Sequence, residues 1–313
     1  MKDIKRAGVV GAGMMGFGIA INFALWEYPT IMCDLSDEIL QQSMRNVRSA
    51  MDLFVEEELI TRQQADDTIH RITTTTDLAD MAANSDFITE AIVERNQDKR
   101  ELFNRLDQLC PPHTIIVSNS SSLVLSDFGS DVKRQDKIAL THYFCPPHIV
   151  PGVEVAKGPG TSDETFNTTY DLMKKIRKIP IKVLKELPGY LLNRIQRAMS
   201  QEAYRLWAQG VASAEDIELG INTTFGFRMP NEGPMMHYDL SGVWRLPAGA
   251  GMNRFIKGLS PEAAEKVRQR IEGKPWFVDP RKFDEALKQR DRGYIRRLKE
   301  FSNLLRPATS PSA

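Results

Sequence analysis

Four segments of the chain carry side chains suited to acid–base work on a hydroxyl group. Ser118-Asn-Ser-Ser-Ser-Leu123 follows the apolar run Thr114–Ser118. His142 closes the run Ile138-Ala-Leu-Thr-His142, and Glu154 lies within Gly152-Val-Glu-Val-Ala156. The loop Cys145-Pro-Pro-His-Ile-Val-Pro151 between them is tight enough to reverse the chain. A reversal there brings His142 and Glu154 together on neighbouring strands, where the carboxylate fixes the tautomer of the imidazole and raises its basicity. Asn193 stands just inside an amphipathic segment that opens after Pro188-Gly189. Oxidising an alcohol by hydride loss needs a base for the hydroxyl proton and donors for the developing carbonyl oxygen. The set contains both. Each member also has a plainer use: a strand-end histidine in the core, a Ser/Asn turn or helix cap, an edge-strand charge, a polar residue near a helix start.

A phosphate-binding element precedes these residues. Gly11-Ala-Gly13-Met-Met-Gly16 follows the strand-like run Ala7–Val10 and opens the helical pattern Met14–Glu27. In that context Gly11 permits the tight turn and Gly13 lets backbone approach a pyrophosphate at the helix N-terminus. Gly16 then allows close helix–strand packing. The next strand ends Ile31-Met-Cys-Asp34, with a carboxylate where an adenosine ribose is met. Leu35 and Ser36 follow, and no arginine stands beside them to hold a 2′-phosphate. NAD is expected rather than NADP.

The elements that must position these groups alternate over the first 185 or so residues. Candidate strands are Ala7–Val10, Thr30–Cys33, Arg71–Thr74, Phe87–Ala91, Thr114–Ser118, Lys137–Tyr143, Gly152–Ala156 and Ile179–Val183. Candidate helices between them are Met14–Glu27, Asp37–Val55, Gln97–Leu109 and Asp163–Ile176. Alternation of this kind implies an α/β fold, a Rossmann-type doubly wound and mostly parallel sheet. From Pro188 the pattern is helical only: Gly189–Gln209, Ala214–Leu219, Pro261–Glu272 and Phe283–Leu305. The expected organisation is an NAD-binding domain over 1–186, a smaller all-helical domain for substrate and dimerisation over 187–305, and a tail at 306–313.

Lys plus Arg and Asp plus Glu both number 41, so no net field favours nucleic acid or an anionic membrane. A charged substrate has to be recognised by local groups. The three cysteines, Cys33, Cys110 and Cys145, lack the spacing of a disulfide framework or a zinc site. No metal is expected. The chain opens without the apolar run of a secretory leader, and no stretch approaches the roughly 20 apolar residues that span a bilayer. A cytoplasmic protein acting on a small molecule is the expectation.

The motifs together resemble the 3-hydroxyacyl-CoA dehydrogenase family. The resemblance runs from the glycine turn to about Pro234, through GAGMMGFGIA, Asp34, ITEAIVERNQDKRELF, SNSSSL, HYFCPPHIVPGVEVAKG and LPGYLLNRI. It implies that His142 is the general base, that Glu154 orients it, and that Ser121 and Asn193 position the substrate and stabilise charge on its oxygen. It also implies cofactor contacts at Glu94 and Lys99, a substrate contact at Arg228, closure of the cleft by Phe225–Arg228, and a homodimer. The Cys145 loop, Gly226-Phe-Arg228 and Arg290-Asp-Arg292 are more similar to the branch containing L-gulonate 3-dehydrogenase (lambda-crystallin) than to the mitochondrial fatty-acid enzyme.

Three departures bear on the substrate. Cys145 stands where the family usually has asparagine. Ala50 and Glu57 stand where the fatty-acid enzyme holds CoA with serine and lysine. Glu56-Glu-Glu58 would repel a phosphate, with Arg45 and Arg48 on the same helix in partial compensation, and Asn231-Glu232 falls among residues that are normally apolar. Both a CoA thioester and a free hydroxy acid therefore stand open, as does a non-catalytic, crystallin-like NAD-binding protein. Retention of Ser121, His142, Glu154 and Asn193 argues against the last. Elsewhere, Cys145 reads as a small buried thiol, His148 and His237 as solvated loop residues, Trp244 and Trp276 as core or interface. The run Arg290–Lys299 reads as a charged helix face or subunit contact, not a nucleic-acid patch.

Overall fold

Short β-branched runs become the strands of a single sheet. They are β1 (Ala7–Val10), β2 (Thr30–Cys33), β3 (Ile72–Thr75), β4 (Phe87–Glu90), β5 (Ile115–Ser118), β6 (Ile138–Tyr143), β7 (Gly152–Ala156) and β8 (Ile179–Val183). The computed structural model describes residues 3–245, 256–271 and 273–300. Strand order is β3-β2-β1-β4-β5-β6-β7-β8. Neighbours run parallel except β6 and β7, which pair antiparallel. The sheet is thus the expected mostly parallel, doubly wound one. Expected strand ends shift by a residue at Arg71, Ala91, Thr114 and Lys137, which the ladder leaves out or, at the far end of β3, exchanges for Thr75.

The strands β1, β4, β5 and β6 are buried at every position, as a sheet covered on both faces requires. Successive side chains serve opposite faces. Val9, Phe87 and Val117 join one apolar cluster, with Phe23, Met51 and Tyr143. Val10, Ile88 and Ile116 join the other, with Phe103, Phe128 and Leu140.

The helices of this part are α1 (Met14–Leu25), α2 (Asp37–Glu56), α3 (Arg62–His70), α4 (Leu78–Ala83), α5 (Asn96–Leu109), α6 (Leu125–Phe128), α7 (Asp163–Lys175) and α8 (Leu192–Ala208). The expected first helix overruns by two residues, because Glu27 takes a left-handed φ of 69° and ends it. Helices α3, α4 and α6 were not expected, being too short for an apolar period to show. Thr61 and Gln64 form a capping box at α3, and Asp77 caps α4.

The chain divides into two compact units, Met1–Met199 and Ser200–Ala313, with the division inside α8. The sequence-based boundary at 186/187 lies ahead of that helix. Within the second unit α9 (Ala214–Thr223), α10 (Phe225–Arg228), α11 (Pro234–Leu240), α12 (Pro261–Ile271) and α13 (Phe283–Glu300) follow, and its described residues include no strand. Helix α11 was not expected. Proline at its first position pre-sets φ there. The expected ends at Glu272 and Leu305, and the tail 306–313, lie outside the described residues. Buried Asp239 accepts the amides of Trp276, Phe277 and Val278, and the Trp244 and Trp276 rings pack against Tyr238 and Ile271. Arg290–Lys299 lies on α13, as expected of a charged helix face.

The join of β1 and α1 tolerates no side chain at Gly16. A Cβ there would lie 1.7 Å from the Gly11 carbonyl oxygen, whereas one on Gly13 would meet nothing within 4 Å. Gly16→Ala should lower unfolding free energy by about 1–3 kcal/mol, the usual cost of overpacking. Gly13→Ala should leave it within about 0.5 kcal/mol. Urea denaturation of the two variants separates these outcomes.

Candidate active site

The glycine turn is held open for an anion. Gly11 has φ of 93°, and a Cβ there would strike the Ala91 carbonyl at 2.5 Å, so only glycine fits. Gly11 N donates to Cys33 O at 2.9 Å, the Ser43 hydroxyl donates to Ala12 O, and Ala12 N donates to Asp34 Oδ2 at 2.5 Å. Leu35 N donates to the other Asp34 oxygen at 2.6 Å. The carboxylate is therefore fixed at the end of β2, beside the turn and partly exposed. Gly13 is exposed and faces open space at the start of α1. An exposed turn with helix amides behind it and an acid beside it fits a pyrophosphate and a ribose diol.

Antiparallel pairing of β6 and β7 sets His142 directly opposite Glu154. His142 is 4% exposed and Glu154 is fully buried. Imidazole Nδ1 stands 2.7 Å from Glu154 Oε2. A carboxylate only accepts, so Nδ1 carries a proton, and in the neutral ring Nε2 keeps its lone pair. The other carboxylate oxygen accepts the amides of Leu191 and Leu192, both at 2.9 Å. These amides open α8, where a negative charge is favoured. Glu154 is no edge-strand charge, since β7 lies between β6 and β8.

The residue after those amides is Asn193, whose Nδ2 donates to Ser121 O at 3.3 Å. Ser121 belongs to the loop after β5, and Glu94 gathers that loop. Its Oε1 accepts the Ser120 and Ser122 hydroxyls and the amides of Ser121, Ser122 and Leu123, at 2.6–3.2 Å. Burial disfavours charge on Glu94, but the Ser120 hydroxyl, the loop amides and the Lys99 ammonium outweigh it and hold the pKa down at about 2. Lys99 is 1% exposed and bridges Glu90 at 2.6 Å and Glu94 at 3.2 Å. Glu90, fully buried, also accepts the Ser118 hydroxyl at 2.5 Å and the Ile92 amide at 2.8 Å. Sequence reasoning missed Glu90. Its only signal was an acid at the end of the strand-like run Phe87-Ile-Thr-Glu90.

A cavity of about 490 Å³ brings Ser121, His142, Asn193, Glu94 and Lys99 together, with Met15 of α1 and Ala91 beside the glycine turn. Cys145 lines it too and is exposed, against the expectation of a buried thiol; its Sγ lies 3.8 Å from Met14 Sδ. It stands on the cavity wall at the start of the loop between β6 and β7, not in the core. His148 is likewise not a solvated loop residue. Its ring packs 5.6 Å from Phe17 and 6.0 Å from Phe54, and burial, then the Lys178 charge, lowers its pKa. Arg228 belongs to the second unit, where its Nη1 is 3.3 Å from His237 Nε2 and His237 Nδ1 is 2.6 Å from buried Glu232. His237 thus lies on α11, paired with an acid rather than in a loop.

The model of the 3-hydroxyacyl-CoA dehydrogenase NAD binding domain matches residues 6–187, and that of the C-terminal domain matches residues 189–271. The chain belongs to the 3-hydroxyacyl-CoA dehydrogenase family. It is 34% identical to human mitochondrial hydroxyacyl-coenzyme A dehydrogenase over 77% of each chain. Identity to rabbit (Oryctolagus cuniculus) lambda-crystallin is 30%, over 83% of this chain and 85% of that one. The solved (S)-3-hydroxybutyryl-CoA dehydrogenase of Ralstonia eutropha superposes with a TM-score of 0.67 at 29% identity, over 85% and 93% of the two chains. Membership makes the protein an NAD-dependent oxidoreductase, and the glycine turn with Asp34 fits that cofactor. Among the described residues no helix is long and apolar enough to cross a membrane.

The family loop around Glu94 has a measurable acid dependence. The folded pKa of about 2 lies below the ordinary 4.5, so the carboxylate stabilises the fold above pH 4.5 and that contribution fades as pH falls towards 2. Glu94→Gln should unfold at lower denaturant than the parent at pH 7, by about 1–3 kcal/mol, the worth of hydrogen bonds to a charged group. The gap should close between pH 4.5 and 2, as acid titrations of denaturant midpoints would reveal.

Proposed function

We propose that the protein oxidises the 3-hydroxyl of a 3-hydroxyacyl-CoA, with His142 as general base. The observation that carries this reading is the 2.7 Å contact of His142 Nδ1 with Glu154, in one cavity with Ser121 and Asn193 beside the glycine turn. NAD, when bound, accepts the hydride from the carbon that bears the hydroxyl. His142 Nε2 takes the hydroxyl proton, and buried Glu154 stabilises the imidazolium that results. The second oxygen of Glu154 is occupied by the Leu191 and Leu192 amides, which leaves the first to face the imidazole. Ser121 and Asn193 hold the substrate oxygen as it becomes a carbonyl.

Gly11, Gly13, Gly16 and Asp34 hold the dinucleotide on this reading. Glu94 and Lys99 act mainly by fixing the serine loop, because Lys99 is buried against two carboxylates. Arg228 is kept as the substrate's cation on the strength of the resemblance. The three free cysteines suit a reducing compartment such as the cytoplasm. A homodimer is supported by large apolar side chains left exposed around α8, among them Tyr204 at 72% and Trp207 at 58%. Light scattering should give twice the 35.4 kDa chain mass, and Trp207→Glu should return it to one.

A second reading, a free hydroxy acid, is favoured by one observation. Glu56, Glu57 and Glu58 are exposed at the C-terminal end of α2, where the helix dipole is already negative, and Ala50 is buried. No CoA phosphate is welcomed there. Initial rates with 3-hydroxybutyryl-CoA against 3-hydroxybutyrate, L-gulonate and carnitine decide between the two. The CoA reading expects turnover of the thioester alone. Against the substrate that reacts, His142→Gln should lower turnover by about 10²–10⁴-fold with NAD affinity little changed. A variant near the parent rate refutes the assignment of the base.

A further inference from the structure

The loop between β6 and β7 carries Phe144 and Cys145 into the cavity and lies directly after His142; the Phe144 ring is 4.6 Å from the imidazole. Its prolines and apolar side chains offer little to hold it. Internally, the Ile149 and Val150 amides donate to Pro146 O at 3.1 and 3.0 Å. Two buried side chains from elsewhere complete the fastening. Asn22 of α1, 5% exposed, donates from Nδ2 to Pro147 O at 2.9 Å. Lys178, 7% exposed and just ahead of β8, donates from Nζ to that same oxygen and to Val150 O at 2.9 Å.

The loop also rests on α1 without a gap. A Cβ on Gly18 would fall 2.6 Å from Pro147 Cγ and 2.7 Å from His148 Nδ1. The His148 ring lies against Phe17 and Phe54 from α1 and α2, and its buried Nδ1 finds no partner among the described residues. Helix α1 begins at the glycine turn, so one end of it addresses the dinucleotide and its middle addresses the catalytic hairpin. The Pro147 carbonyl is where the two are joined. An ammonium suits that junction, having three donors and no acceptor, so that it can serve two carbonyls in a dry place. Buried without such acceptors it would be costly.

Hydride and proton transfer require the base and the cofactor to be aligned, and a 1 Å misplacement from a remote change can cost about 10²-fold. We propose that Lys178, seconded by Asn22, is a positioning residue that locks the catalytic hairpin to the dinucleotide-binding helix through the Pro147 carbonyl. This rests on the function proposed above.

The test uses Lys178→Met, which keeps length and packing but no donor, with Lys178→Arg, Asn22→Leu and the exposed control Lys182→Met. Turnover of the reacting hydroxy substrate and NADH affinity by fluorescence are read together. Lys178→Met should lower kcat about 10–100-fold with NADH affinity within about twofold. Lys178→Arg should recover part of the loss, Asn22→Leu should lose less, and Lys182→Met should match the parent. A folded Lys178→Met with parental kcat overturns the proposal, as does a loss of NADH affinity in step with kcat. If Lys178→Met fails to fold, Asn22→Leu decides by the same criteria. If the parent oxidises no hydroxy substrate, the reading of function fails by itself, and nitrogen-15 spectra of His142 still test the lock. A shifted or broadened Nδ1–H resonance in Lys178→Met or Asn22→Leu supports it, and an unchanged one overturns it.

Discussion

A buried carboxylate cannot be left without partners, and Glu154 organises the wall of the cavity around His142 for that reason. Stripped of water, its charge costs several kcal/mol unless every oxygen is engaged. One oxygen takes the His142 imidazole and the other takes two amides at the start of α8. Sheet, hairpin and helix are thereby fixed with respect to a single group. Asn193 follows the two amides directly, so the constraint that satisfies Glu154 also delivers the Asn193 amide to the serine loop. Alignment of the imidazole with the serine loop is a by-product of electrostatic satisfaction.

The same rule shapes the opposite wall of the cavity. Glu90 and Lys99 are both buried, and Glu94 adds a second carboxylate to the ammonium. Glu90 holds Ser118 while Glu94 collects hydroxyls and amides from Ser120 to Leu123. The loop is rich in small polar residues and has little apolar surface of its own. Charge-assisted hydrogen bonds replace packing there. Two ionic networks, one on each side of His142, make a rigid site from a loop and a hairpin.

Strand direction makes both networks possible. Parallel order from β3 through β6 places the ends of β1, β4 and β5 together, so the glycine turn, Glu90 and the serine loop share an edge. The single antiparallel step at β6 and β7 then returns the chain within a short loop. A parallel crossover would have needed a helix between His142 and Glu154. The reversal instead lets two residues twelve apart in sequence face each other.

Local pattern determined much of this protein. A strand, three glycines and an acid in register specify the nucleotide turn because only glycine satisfies Gly11's positive φ and Gly16's contact. Runs of β-branched residues specified the strands, and the proline-rich loop foretold the His142–Glu154 meeting, because register follows from where a tight hairpin turns. Tertiary structure alone decided what depends on burial. Glu90 and Lys178 look like ordinary surface charges in sequence, yet their neighbours come from β5 and from the β6–β7 loop. The exposure of Cys145, the packing of His148 and the short helices α3, α4 and α6 were equally hidden. Periodicity reports which face of an element is apolar, not which distant atoms will meet a charge once water has gone.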